Sequence, residues 1–174
     1  SVDCVIFGFN GDQIYVLLID RENQLKNVIS EYALPGNLIR DDENLDMAAE
    51  RVLKELTGLS VIYLEQFGAF GDPDRIKKKE DQPWLKAVRS IPNARVITVG
   101  YYSLIRMSDY ELNPSSFAKN AKWMPLNSIK KLPFDHLKIL NSSVEYLRSN
   151  TKINPIGFNL LPEKFRPKQM QKLY

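Results

Sequence analysis

LPGNLIRDDENLDMAAERVLKELTGL, Leu34 to Leu59, is the stretch whose reading decides the fold. Pro35-Gly36 closes a short strand pattern, EYALPGN. Asn44 then stands where a helix cap is wanted. Behind it, Leu45, Ala48, Ala49, Val52, Leu53 and Leu56 recur at helical spacing on one face. Gly58 supplies the stop. Acids collect ahead of the helix at Asp41, Asp42 and Glu43, and Arg51 and Glu55 are spaced to pair along it. An amphipathic helix with one ion pair accounts for this, and so does a helix that once held an anion-binding metal.

On the N-terminal side, VDCVIFGF and QIYVLLID read as two strands joined at Asn10-Gly11, a strong hairpin pattern. On the C-terminal side, LSVIYLEQFGAF and ARVITVGYYSLI read as strands, AKWMPL as a short one, and DHLKILNSSVEYLRSN as an amphipathic helix with Asp135 as its cap. The polar stretch between the first two strands carries Lys77, Lys78 and Lys79 and three prolines, and it reads as a long excursion from the sheet. After Asn150 the pattern changes. Residues 151–174 read as a linker, TKINPIGFNLLPEKF, and a helix start with Pro167 in its first turn. The expectation is a mixed α/β domain over 1–150 and the opening of a second domain over 151–174.

The totals narrow the class. A chain of 174 residues with 44% hydrophobic and 26% charged residues can bury a core of its own. A net charge of +3 is too small to argue for nucleic acid by itself. One cysteine, Cys4, excludes an internal disulfide, and a reducing cytoplasm is the expected setting. No apolar run approaches the roughly 20 residues of a membrane helix, and neither a signal peptide nor a membrane partner is expected. One histidine, His136, cannot build a histidine-based metal site alone.

The stretch 34–59 resembles the Nudix box, in which a glycine, five residues, a Glu and seven residues precede R-E-U-x-E-E-x-G-U, U being aliphatic. Anchored on RVLKELTGL, Arg51 matches the Arg and Glu43 the first Glu. Gly36 lies one residue too far back, a one-residue insertion. Val52 and Leu56 stand where two metal-binding Glu are expected, and Glu55 keeps the third place. Magnesium wants oxygen ligands and a diphosphate adds charge for it to offset, so this is a poor cluster: Glu43 and Glu55 are weak metal candidates. FGDPDR, FDHLKIL and GFNLLPEKF extend the resemblance to the Nudix-related transcriptional regulators of bacteria. That resemblance implies a Nudix fold, an α/β/α sandwich around a mixed sheet. It also implies a C-terminal winged helix-turn-helix for operator DNA, begun at 151–174, and a homodimer. The excursion IKKKEDQPWLKAVRSIPNA is a departure from that pattern.

The resemblance makes Arg51 and Glu55 the leading ligand-binding candidates, with a structural ion pair as the alternative. Asn37 can offer its amide to a sugar hydroxyl, Arg40 its charge to an anion, and Asp72 and Arg75 can bind ligand or staple their loop. Tyr101 and Tyr102 point to opposite faces of one strand, so at most one, taken as Tyr101, meets a ligand. The lysine run reads as a solvated charge run, His136 as structural, and Trp84 as packing on the domain or on a second subunit. No residue is assigned a catalytic role. The expected function is effector sensing without hydrolysis: a sugar such as L-arabinose, with ADP-ribose as the alternative. The reading from another class is an active magnesium-dependent hydrolase of ADP-ribose carried by Glu43, Arg51 and Glu55. No cofactor is expected except magnesium in that case.

Overall fold

Strand β1 (Val2–Phe9) is buried along its whole length, which is why its sequence shows no in–out alternation. The computed structural model describes residues 1–21, 32–114, 118–151 and 168. Within it β1 is the sheet's central strand. It runs antiparallel to β2 (Ile14–Arg21) and parallel to β6 (Thr98–Arg106). Beyond β2 lies the short β3 (Tyr32–Ala33), and beyond β6 the edge strand β5 (Glu65–Phe70), giving the order β3-β2-β1-β6-β5. Two further strands join off this path: β4 (Gly36–Asn37) on β1 and β7 (Ala118–Pro125) on β2.

Helices cover both faces. Helix α1 (Leu45–Thr57) sets Ala48, Ala49, Val52, Leu53 and Leu56 against Cys4, Ile6, Leu17, Ile19 and Tyr101. On the other face α3 (His136–Thr151) sets Ile139 and Leu140 against Val5, Phe7, Val16, Leu18 and Tyr102. Neighbouring residues of β1 and β6 therefore serve opposite layers, and Tyr101 and Tyr102 do point apart as the strand period requires. The domain is the expected α/β/α sandwich around a mixed sheet. No described helix is long and apolar enough to cross a membrane.

Several boundaries follow local chemistry. Asn44 accepts from the Met47 amide at 2.9 Å, and Gly58 ends α1 with φ +81. The hairpin departs from the simplest Asn-Gly turn: Gly11 alone has positive φ, while the Asn10 side chain accepts from the amides of Asp12 and Gln13, both at 2.9 Å. The strand expected from Leu59 begins only at Glu65, because Val61 turns to φ +58 and stands fully exposed. The polar excursion folds into a 3₁₀ turn and helix α2 (Gln82–Val88), so it is a packed element rather than an open loop. The linker and helix start expected at 151–174 lie outside the described residues, apart from 151 and 168.

Candidate functional site

The first cluster forms where the loop 38–43 meets α1. Arg51 donates through Nε to Glu43 Oε1, through Nη2 to Glu43 Oε2 at 2.8 Å and to the Leu38 carbonyl at 3.0 Å, and through Nη1 to Glu55 Oε2 at 3.1 Å. Arg40 donates through Nη2 to Glu55 Oε1 at 3.0 Å, and its backbone amide donates to Glu43 Oε2 at 3.0 Å. The hydrogen bonds from Arg51 hold the Glu43 carboxyl well below the ordinary range, at about 2. The same bonds to Glu43 raise the Arg51 guanidinium. Both carboxylates thus have both oxygens engaged, and two positive charges cancel two negative ones.

This donor set does not fit a divalent cation. Val52 and Leu56 are wholly buried in the α1 core and offer no oxygen. Among the described residues no three His, Cys, Asp or Glu side chains converge as a metal cluster. A magnesium ion here would have to displace Arg40 or Arg51 from their carboxylates.

The second cluster lies where β1, β4, α2 and the start of α3 meet. Arg75, 4% exposed in its side chain, donates through Nε and Nη2 to the two oxygens of Asp135, each at 2.9 Å, and through Nη2 to Asp3 Oδ2 at 3.3 Å. Such a fork on a carboxylate is both strong and directional. His136 accepts from the Leu34 amide through Nδ1 at 3.1 Å and sets Nε2 3.5 Å from Asp3 Oδ1. If the ring is neutral, that acceptor role puts its proton on Nε2, facing Asp3. Gly36 makes the approach possible: a Cβ there would lie 1.9 Å from Asp3 Oδ1.

Around this network is a cleft of about 130 Å³, lined among others by Asp3, Leu34, Asn37, Arg75, Trp84 and Arg89. Its outer wall is α2. Leu85 is wholly buried, and the Trp84 and Phe134 rings lie 5.8 Å apart. Asp81 Oδ2 accepts from the Phe134 amide at 2.9 Å while Lys78 Nζ donates to the Phe134 carbonyl at 2.5 Å. These bonds grip both sides of a residue held at φ +52.

The structure thus divides the residues expected at the site. Arg40, Glu43, Arg51 and Glu55 form the α1 cluster, while Asn37 and Arg75 line the cleft. Tyr101 lies on the α1 side and donates to Asp46 at 2.6 Å, and Asp72 is an exposed partner of Lys138. Cys4 is wholly buried, its thiol pushed up by burial, which makes it unreactive. Asp3, Trp84, Arg89 and His136 were not expected to share one cavity. The resemblance FGDPDR and FDHLKIL pointed to their neighbourhood, but the long sequence separations hid the meeting.

Residues 1–142 match the NUDIX domain family model. Over all of this chain and 64% of its own length, an ADPR responsive transcriptional repressor of Acinetobacter baylyi is 29% identical. An ADP-ribose pyrophosphatase of Methanocaldococcus jannaschii is 31% identical over 76% of this chain and 66% of its own. The chain thus spans just under two thirds of the length of these relatives. Among solved structures, the NUDIX domain of Shewanella oneidensis NrtR complexed with ADP ribose superposes with a TM-score of 0.66. It is 27% identical, over 84% of this chain and 86% of that one.

Proposed function

This chain belongs to the NUDIX domain family, and from that premise we propose that it is the ADP-ribose-sensing part of a transcriptional repressor. The observation that carries the reading is the alignment of the entire chain with an ADPR responsive repressor. The related NUDIX domain that is complexed with ADP ribose supports it further. These relatives favour ADP-ribose over a free sugar, so the expectation of L-arabinose gives way to its alternative. The self-paired α1 cluster supports sensing without turnover, since Glu43 and Glu55 are occupied by Arg51 and Arg40.

In the full-length protein, residues 151–174 would lead into a winged-helix domain on operator DNA, and the effector would shift the arrangement of a homodimer on that DNA. Melting the protein with ADP-ribose or L-arabinose tests the effector. A ligand at 100 times its dissociation constant adds about 2.7 kcal/mol. A shift with ADP-ribose alone is expected, and a shift with L-arabinose alone would overturn the reading.

A second reading is an ADP-ribose hydrolase, favoured by the identity to the archaeal pyrophosphatase. It requires turnover of about 1 per second or faster with magnesium, abolished by Glu55→Gln.

A further inference from the structure

Arg89 caps the C-terminal end of α2 and reaches into the cleft beside Asp3 and Arg75. Its Nη1 is buried and has no hydrogen-bond partner among the described residues. The two carboxylates of this region are already matched. Arg75 takes both oxygens of Asp135 and Oδ2 of Asp3, and His136 faces the remaining Asp3 oxygen. Arg75 and Arg89 together balance Asp3 and Asp135 in charge, but the carboxylate oxygens are engaged by Arg75 and His136, so Arg89 is left with a buried donor that none of them satisfies. Burial above all, and then the neighbouring Arg75, push its ionisation downward against the pull of Asp3. A buried donor left unmade is costly, and α2 is pinned firmly enough by Asp81, Lys78 and Leu85 to maintain it.

The α1 cluster offers the contrast: its guanidiniums are already bonded to Glu43 and Glu55, so an incoming anion would have to break ion pairs there. We propose that Arg89, contributed by the segment 76–94, binds the phosphate or diphosphate group of the effector directly, in place of a metal ion at α1. The planar guanidinium suits phosphate oxygens, and apolar walls of Leu34, Ile76 and Trp84 strengthen the attraction by excluding water. Pockets for whole drug-sized ligands measure about 300–1,000 Å³. At about 130 Å³ this cleft admits one end of such a molecule, its phosphate and the attached sugar. The inference rests on the effector reading in naming ADP-ribose, but the anion site is testable apart from it.

The test is calorimetric titration of wild type, Arg89→Gln and Arg89→Lys with ADP-ribose, pyrophosphate and ribose in metal-free buffer. Arg89→Gln should weaken ADP-ribose and pyrophosphate tenfold or more, Arg89→Lys less, with ribose unchanged in all three. The ligand-free melting temperature of Arg89→Gln should equal or exceed that of wild type, because a buried donor without a partner is gone. A purely structural arginine would instead lower the melting temperature and leave affinity alone, which overturns the proposal. Failure of both anions to bind wild type overturns it too. Binding of pyrophosphate through Arg89 without binding of ADP-ribose would keep the anion site and discard the ADP-ribose reading.

Discussion

The two charged clusters of this domain use similar residues to opposite ends. At α1, Arg40 and Arg51 meet Glu43 and Glu55, and all four carboxylate oxygens are taken. In the cleft, Arg75 meets Asp3 and Asp135, and Arg89 is left with a buried nitrogen that bonds to nothing described. The first arrangement is self-sufficient and half open to water. The second carries one buried guanidinium nitrogen with no bond among the described residues. A family resemblance draws attention to the first, while the unsatisfied donor that a ligand would engage lies in the second.

The strongest way to break this comparison is to rebuild the missing acids. In Val52→Glu/Leu56→Glu two carboxyls enter a dry core. A buried Glu raised to a pKa near 8–9 is neutral at pH 7, so each costs about 1.36 × (7 − 4.3), or about 3.7 kcal/mol. The pair, about 7 kcal/mol, rivals the whole stability of an ordinary domain. Loss of cooperative unfolding by circular dichroism is expected. A folded double variant that binds magnesium would mean that the box is closed only by its side chains.

Next comes Arg75→Ala, which strands Asp3 and Asp135 and should cost about 3–5 kcal/mol in denaturant titration. A cost under about 1 kcal/mol would make the network ornamental. Smaller still is an acid effect. Glu43 is depressed to about 2 in the fold. Its stabilisation is therefore complete above the unfolded value near 4.3 and fades as pH falls towards 2. Wild type should lose stability across that window more steeply than Glu43→Gln, and parallel profiles would deny the pairing with Arg51. Least of all, Asp72→Asn removes an exposed partner of Lys138 and should leave the melting temperature and ligand affinity unchanged.

How much of this was legible follows from the range of the forces involved. The helix cap at Asn44, the stop at Gly58, the hairpin at Gly11 and the apolar stripe of α1 are local, and local patterns show them. The α1 cluster was legible too, since Arg51 and Glu55 are one helical turn apart and Glu43 directly precedes the helix. The 76–94 segment read as an open excursion because its helix is short and depends on contacts from elsewhere, above all Asp81 and Lys78 on Phe134. The cleft was illegible for the same reason. Asp3 hides in an apolar strand, and it meets Arg75 and Asp135 only because β1, the loop after β5 and the start of α3 converge. Val52 and Leu56 read correctly as extensions of the core-facing stripe, and both are fully buried.

The most direct test of the account is one titration of ADP-ribose into the protein, run first with EDTA and then with magnesium. The account predicts binding of equal affinity in both, within about twofold, and no continuing heat of hydrolysis after saturation. Binding that appears only with magnesium, or a steady heat of turnover once magnesium is added, would contradict it.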